Sequence, residues 1–217
     1  MGVRDLILTT ARLTVTTWLP RDVEELIVLH SDAVVMSQMI TGTETRGQTR
    51  ARIDQWIEEQ CTRGWAKWRV SNRSGNLLGR AGFGMYHRTG DREIGYLLRR
   101  DAWGQGLATE LAAALVEWHR QHPDPTISTR LRGYAYDTNV ASQRVLLKAG
   151  FRPAGKDLVD PRQLCFIHER RRGVTTQERG LSAHLETGGS VLTSDRKSRA
   201  STATEVSRPI RGRSGHA

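Results

Sequence analysis

A chain of 217 residues, 37% of them apolar, can bury the core of one domain and still carry an extension. No apolar run approaches a membrane span, the first residues show no basic-then-apolar signal pattern, and Cys61 and Cys165 lie too far apart for metal-ligand spacing. A membrane-spanning protein, a disulfide scaffold and a zinc module are therefore not expected, and the net charge of +10 implies an acidic partner only if its distribution supports one.

Residues 6–18 are rich in β-branched side chains and alternate at Leu13, Val15 and Thr17, which predicts a first strand ending at Trp18. Pro20 opens a helix with Val23, Leu26, Ile27 and His30 along one face and Asp22, Glu24 and Glu25 in its first turn, where the dipole favours acids. His30 reads as a half-buried packing residue. Residues 37–47 are polar, contain Gly42 and Gly47, and read as a loop. A helix over 48–62 follows from Ile53, Trp56, Ile57 and Cys61, with Trp56 as a core anchor. Both cysteines are expected to be reduced core thiols of a cytoplasmic protein. Gly64 stops that helix, Trp65–Val70 alternates as a strand, and Asn72–Asn76 is a hairpin turn. The strand Leu77–Tyr86 contains Gly79, Gly82 and Gly84, which mark a bulge or close approach by another chain or a ligand.

The chain is organised around Glu93–Trp118. Glu93–Arg99 alternates as a strand, with Ile94, Tyr96 and Leu98 on one face. A turn containing Gly104 and Gly106 follows, and then Leu107, Leu111, Leu115 and Trp118 form a helical stripe. A glycine turn entering a helix leaves the first backbone N–H groups unpaired, with the helix dipole behind them. Such a turn can hold phosphate, although strand-to-helix geometry alone can also require glycine. The spacing fits neither a Walker A loop nor a dinucleotide fingerprint.

Pro123 ends this helix, and residues 126–136 read as a strand. Asn139 stands at an N-cap position with Ser142 at N3, Val145, Leu146 and Ala149 give the next helix its apolar side, and Gly150-Phe151 forms its C-cap. Phe151–Gly155 begins another strand, and Leu164–His168 is the last. The order of elements is α+β. Residues 171–217 lose all periodicity and hold nine Arg or Lys against four Asp or Glu, half of the net charge. Composition predicts a folded domain over 1–170 and a disordered basic tail over 171–217. The tail lacks interleaved aromatics and the domain lacks a reading motif, so nucleic acid is not an expected partner.

Trp103-Gly-Gln-Gly106-Leu-Ala108 resembles the acyl-CoA binding motif of the GNAT N-acetyltransferases, Gln/Arg-x-x-Gly-x-Gly/Ala, with Trp103 replacing the usual first residue. Asn139–Phe151 and the opening Thr10-Ala-Arg12-Leu13-Thr14-Val15 are similar to that family too, and the resemblance covers about residues 8–170. It is closest to the RimJ/RimL-like branch of ribosomal-protein N-terminal acetyltransferases. The resemblance implies the GNAT fold, a mixed and mostly antiparallel central sheet flanked by helices, and acetyl-CoA as cosubstrate. It also implies that the backbone of Leu97, Leu98 and Arg99 pairs with the pantetheine amides. The amides of Gln105, Gly106, Leu107, Ala108 and Thr109 would hold the pyrophosphate, aided by Arg100 and the Gln105 side chain. Asn139 would meet the pantetheine arm, Ser142 would lie near the thioester sulfur, and the first two helices with the loop Met36–Thr43 would wall the acceptor.

Acetyl transfer to an amine needs a neutral amine, a polarised thioester and a proton for the departing thiolate. Glu93 is the candidate proton acceptor, through water; its other reading is a surface ion pair with Arg92 or Arg99. Ser142 is the candidate thiolate neighbour, or else a first-turn serine bonded to backbone. Tyr134 and Tyr136 are alternative proton donors. No pairing suggests a covalent intermediate or a metal site. The expected activity is direct transfer in a ternary complex to a primary amine, either a protein N-terminal α-amino group or a small molecule, by a monomer or homodimer. A catalytically silent acyl-CoA sensor or scaffold of the same fold is the alternative.

Overall fold

Alternation in the strands and a single stripe on the long helix give the sheet two different faces to cover. In the computed structural model, which describes residues 2–39, 41–86 and 88–169, eight strands form one sheet. They are β1 (Leu6–Thr9), β2 (Leu13–Thr16), β3 (Lys67–Asn72), β4 (Leu77–Met85), β5 (Arg92–Leu98), β6 (Leu131–Tyr136), β7 (Arg152–Lys156) and β8 (Gln163–His168), in spatial order β1-β2-β3-β4-β5-β6-β8-β7. Every neighbouring pair is antiparallel except β5–β6, which is parallel. The helices are α1 (Val23–His30), the short α2 (Ala33–Met36), α3 (Arg46–Arg63), α4 (Leu107–Gln121) and α5 (Val140–Lys148). This is the mixed, mostly antiparallel α+β architecture that the resemblance implies. The predicted basic tail, and with it the boundary near residue 170, lies outside the described residues.

One face of the sheet is covered by α4 and α5. Trp68, Val70, Ala81, Phe83, Ile94 and Leu98 pack there against Leu107, Leu111, Leu115, Trp118 and Leu146. The other face is covered by α1, α2 and α3, where Trp18, Leu26, Leu29, Ile53 and Trp56 pack on Ala66, Leu77 and Leu97. Trp56 is thus a core anchor. Gly79 allows close approach of β5, since a Cβ on it would stand 2.1 Å from the Leu97 carbonyl.

Three expectations differ from the structure, and one helix is additional to them. The predicted strand 6–18 is a hairpin of two short strands, because the Thr10 hydroxyl accepts the Leu13 N–H at 3.0 Å and turns the chain. The stretch before the 37–47 loop contains α2, nucleated by Asp32, whose carboxylate accepts the N–H groups of Val34 and Val35. The strand predicted over 126–136 starts only at Leu131, because Asp124 and Ser128 bond the backbone of Thr126 and Arg130 and keep those residues turned. Cys165 is buried, but Cys61 is exposed. At about 100° per residue it lies about 140° around α3 from Trp56, off the core face.

His30 is fully buried, deeper than its pattern suggests. Arg80 Nε donates to its Nε2 at 3.0 Å, and its Nδ1 lies 2.9 Å from Glu44. Burial first, and then the Arg80 charge, push the imidazole down to about 4. The unfolded chain binds a proton near pH 6.5 that the native chain refuses. Stability is therefore expected to fall as pH drops from about 6.5 to about 4, read as the urea midpoint, and His30→Gln should flatten that part of the profile.

Candidate active site

The β5–β6 pair is where the site is made. The strands pair at Arg92–Leu131, Glu93–Arg132 and Ile94–Gly133, and no further among the described residues. From there β6 runs on against β8. Arg99 N donates to the Leu78 carbonyl at 2.8 Å, and the Leu97 carbonyl faces Gly79, so the odd residues of β5 direct their backbone to β4. The even residues, Tyr96 and Leu98, direct theirs into the seam left beyond Ile94. Of Leu97, Leu98 and Arg99, only Leu98 turns its backbone that way, and its carbonyl already accepts the Trp103 indole N–H at 2.8 Å.

The seam ends on the head of α4. After a 3-10 turn at Arg100–Ala102, Gly106 caps the helix with φ +77°. Leu107, Ala108 and Thr109 occupy the first turn, whose N–H groups have no intrahelical acceptor; the Glu110 N–H is the first to find one, the Gly106 carbonyl at 3.1 Å. The Gln105 side chain donates to the Asp101 carbonyl at 2.6 Å, which braces the turn. A carboxylate in this first turn would repel an anion, but Glu110 is held by the Thr10 hydroxyl, by Arg12 N and by Arg12 Nε at 2.7 Å. Arg12 Nη1 also donates to the Gln105 carbonyl at 2.8 Å. The guanidinium thus ties the β1–β2 turn to the glycine turn and offsets the Glu110 charge beside it. Sequence reading assigned Arg12 no such role, because Glu110 and Gln105 lie some hundred positions away.

The head of α5 closes the seam from the other side. The Asn139 side chain accepts the Ser142 N–H at 3.0 Å as the N-cap, and Ser142 Oγ lies 2.9 Å from the Tyr96 hydroxyl. Burial, opposed by that bond, pushes Tyr96 up to about 12. The alternation of β5 shows Tyr96 only as a strand residue.

On the α1–α3 face, half-buried Glu93 stands opposite Gly84 of β4 and Arg132 of β6. The two arginines considered as its surface partners are engaged elsewhere. Arg92 is buried among Trp65, Phe83 and Trp118 on the opposite face, and Arg99 pairs with Asp101. Across the seam, Tyr134 stacks on Tyr86 with ring centroids 5.3 Å apart, Arg132 lies over Tyr86 and pairs with Asp91, and Arg162 lies over Tyr136. Burial, then Tyr86 and Cys165, push the Tyr134 phenol well up. The structure adds Lys67, whose Nζ donates to the Gly82 and Glu93 carbonyls at 3.3 Å each.

A family model described as an acetyltransferase (GNAT) domain matches residues 12–152. Among solved structures, a GNAT-family acetyltransferase from Bacillus anthracis is 20% identical, with 75% of this chain and 97% of that one covered and a TM-score of 0.64. A Salmonella typhimurium acetyl transferase, described as modifying the N-terminal serine of the 50S ribosomal protein L7/L12, is 16% identical, with coverages of 76% and 99% and a TM-score of 0.64. An aminoglycoside acetyltransferase solved with coenzyme A is 18% identical, with coverages of 73% and 95% and a TM-score of 0.60. At these identities the likeness is one of fold. No curated protein sequence matches the chain.

Proposed function

Because the chain belongs to the GNAT acetyltransferase family, we propose that it transfers an acetyl group from acetyl-CoA directly to a primary amine. The observation that carries this reading is the β5–β6 seam, open beyond Ile94 and ending on the first turn of α4. That turn suits a pyrophosphate: Gly106 has no Cβ to obstruct the approach, Arg12 offsets Glu110, and three consecutive N–H groups face outward. The amides of Gln105, Gly106, Leu107, Ala108 and Thr109 would hold the phosphates. The backbone of Leu98, with that of Tyr96, would hold the pantetheine arm beside Asn139. Leu97 and Arg99 would contribute side chains and strand rigidity instead.

Acetyl-CoA supplies an acyl group activated as a thioester. Glu93 accepts the proton that the acceptor ammonium must lose, and the Ser142–Tyr96 hydroxyl pair holds a proton where the thiolate departs. The two reactants are brought together on a rigid sheet, which supplies most of the acceleration. The acceptor is a protein N-terminal α-amino group or a small-molecule amine, and solved relatives include one acting on each kind. The wording around Trp103–Glu110 and the opening Thr10–Val15 support a place in the RimJ/RimL-like branch, and the widely spaced thiols Cys61 and Cys165 suit the reducing cytoplasm.

Calorimetric titration with acetyl-CoA, followed by a mass-spectrometric screen of N-terminal peptides, aminoglycosides and simple amines, tests the reading. Binding with transfer to one class is expected. Failure to bind would remove the site assignment. Binding with no transfer to any amine would leave a silent acyl-CoA-binding protein of the same fold.

A further inference from the structure

Lys67 is one of only four lysines among 33 basic residues, and it opens β3 on the face that would receive the acceptor. Its side chain lies across the sheet over glycines: a Cβ at Gly95 would stand 2.7 Å from Nζ, and one at Gly84 would stand 3.8 Å away. Gly95 is also the first β5 residue beyond the last β5–β6 pair. An arm held at the head of α4 and lying in the seam would point toward the closed end of the seam, where Gly95 follows the last β5–β6 pair. The Lys67 amine is thus within about one strand spacing, ~5 Å, of that end. The charged groups facing it are Glu93 from β5, Arg80 from β4 and Glu59 from α3. Burial outweighs the attraction of Glu93 and brings the ammonium down to about 8, so free amine is present near neutral pH.

We propose that Lys67 is itself an acetyl acceptor, and that the chain acetylates this residue when acetyl-CoA is bound and no other amine fills the site. The inference rests on the proposed function. The Nζ lone pair bonds to the thioester carbonyl carbon and the carbon–sulfur bond breaks. The proton lost by nitrogen passes to the departing thiolate, giving Nζ-acetyl-lysine and free CoA thiol. The product carries no charge and adds bulk over Gly95, so the modification alters the acceptor face from within.

The test incubates the full chain with acetyl-CoA alone and maps the acetyl group by peptide mass, with calorimetric binding measured in parallel. Lys67 should be acetylated at least ~10-fold faster than exposed Lys148 and Lys156, since holding the two reactants together favours it. Lys67→Arg, which keeps the charge, should abolish the mass shift. Trace labelling with acetic anhydride in the absence of acetyl-CoA gives a second readout. The reactivity of Lys67 should level off just above pH 8, and a rise continuing to pH 10 would overturn the inference. Acetyl-CoA binding without preference for Lys67 would overturn it while leaving the proposed function standing, whereas absence of binding would overturn both.

Discussion

Gly106→Val is expected to abolish measurable acetyl-CoA binding in a chain that remains folded. Gly106 holds φ +77° at the cap of α4, where an L side chain costs about 1–2 kcal/mol. The cost should lower the thermal midpoint by several degrees without unfolding the domain. A Cβ there comes no nearer to the protein than 3.7 Å, to Arg12 Nη2, so the protein itself has room for it. The branched side chain would project instead into the mouth of the turn, where phosphate oxygens must approach the N–H groups of Leu107, Ala108 and Thr109. A hydrogen bond to a charged group contributes about 1.5–3 kcal/mol. Loss of two such bonds lowers affinity by ~100-fold or more. Calorimetry on a variant shown by circular dichroism to be folded decides the matter, and unchanged affinity would remove the phosphate site from this turn.

Glu93→Gln is expected to leave acetyl-CoA affinity intact and to lower the transfer rate by ~100-fold or more near neutral pH, the usual scale for loss of a general base. Affinity is spared because Glu93 lies on the α1–α3 face and its backbone turns to β4, away from the seam. The carboxylate matters only while the acceptor is an ammonium. As pH rises toward the acceptor's own pKa, free amine forms unaided and the deficit should shrink. A deficit of constant size across pH would mean that the negative charge positions the acceptor. No deficit at any pH would remove Glu93 from the chemistry. Single-turnover rates with saturating acetyl-CoA, measured from pH 6.5 to about 9.5, separate these outcomes.

Much of the scaffold was legible because its signals are local. The stripe Leu107–Leu111–Leu115–Trp118, the Asn139 cap with Ser142 at N3 and the Gly150 turn each depend on residues within a dozen positions. The Gly106 turn was legible for the same reason. At the Thr10 turn a short side chain bonded the backbone locally and overrode a plausible apolar pattern, and α2, begun by the Asp32 cap, is too short to show a periodicity.

The sequence by itself therefore determined the elements, the two-faced pattern that makes the fold α+β, and a glycine turn suited to phosphate. Only the tertiary structure decided where the sheet opens, because that depends on parallel pairing between Arg92–Ile94 and Leu131–Gly133, strands separated by a whole helix. It alone brought Arg12 to Glu110, Tyr96 to Ser142, and Lys67 over Gly95. Each of these meetings is fixed by strand register, and register is set by how distant segments bury their apolar faces together. No window of the chain short enough to show a periodicity contains both partners.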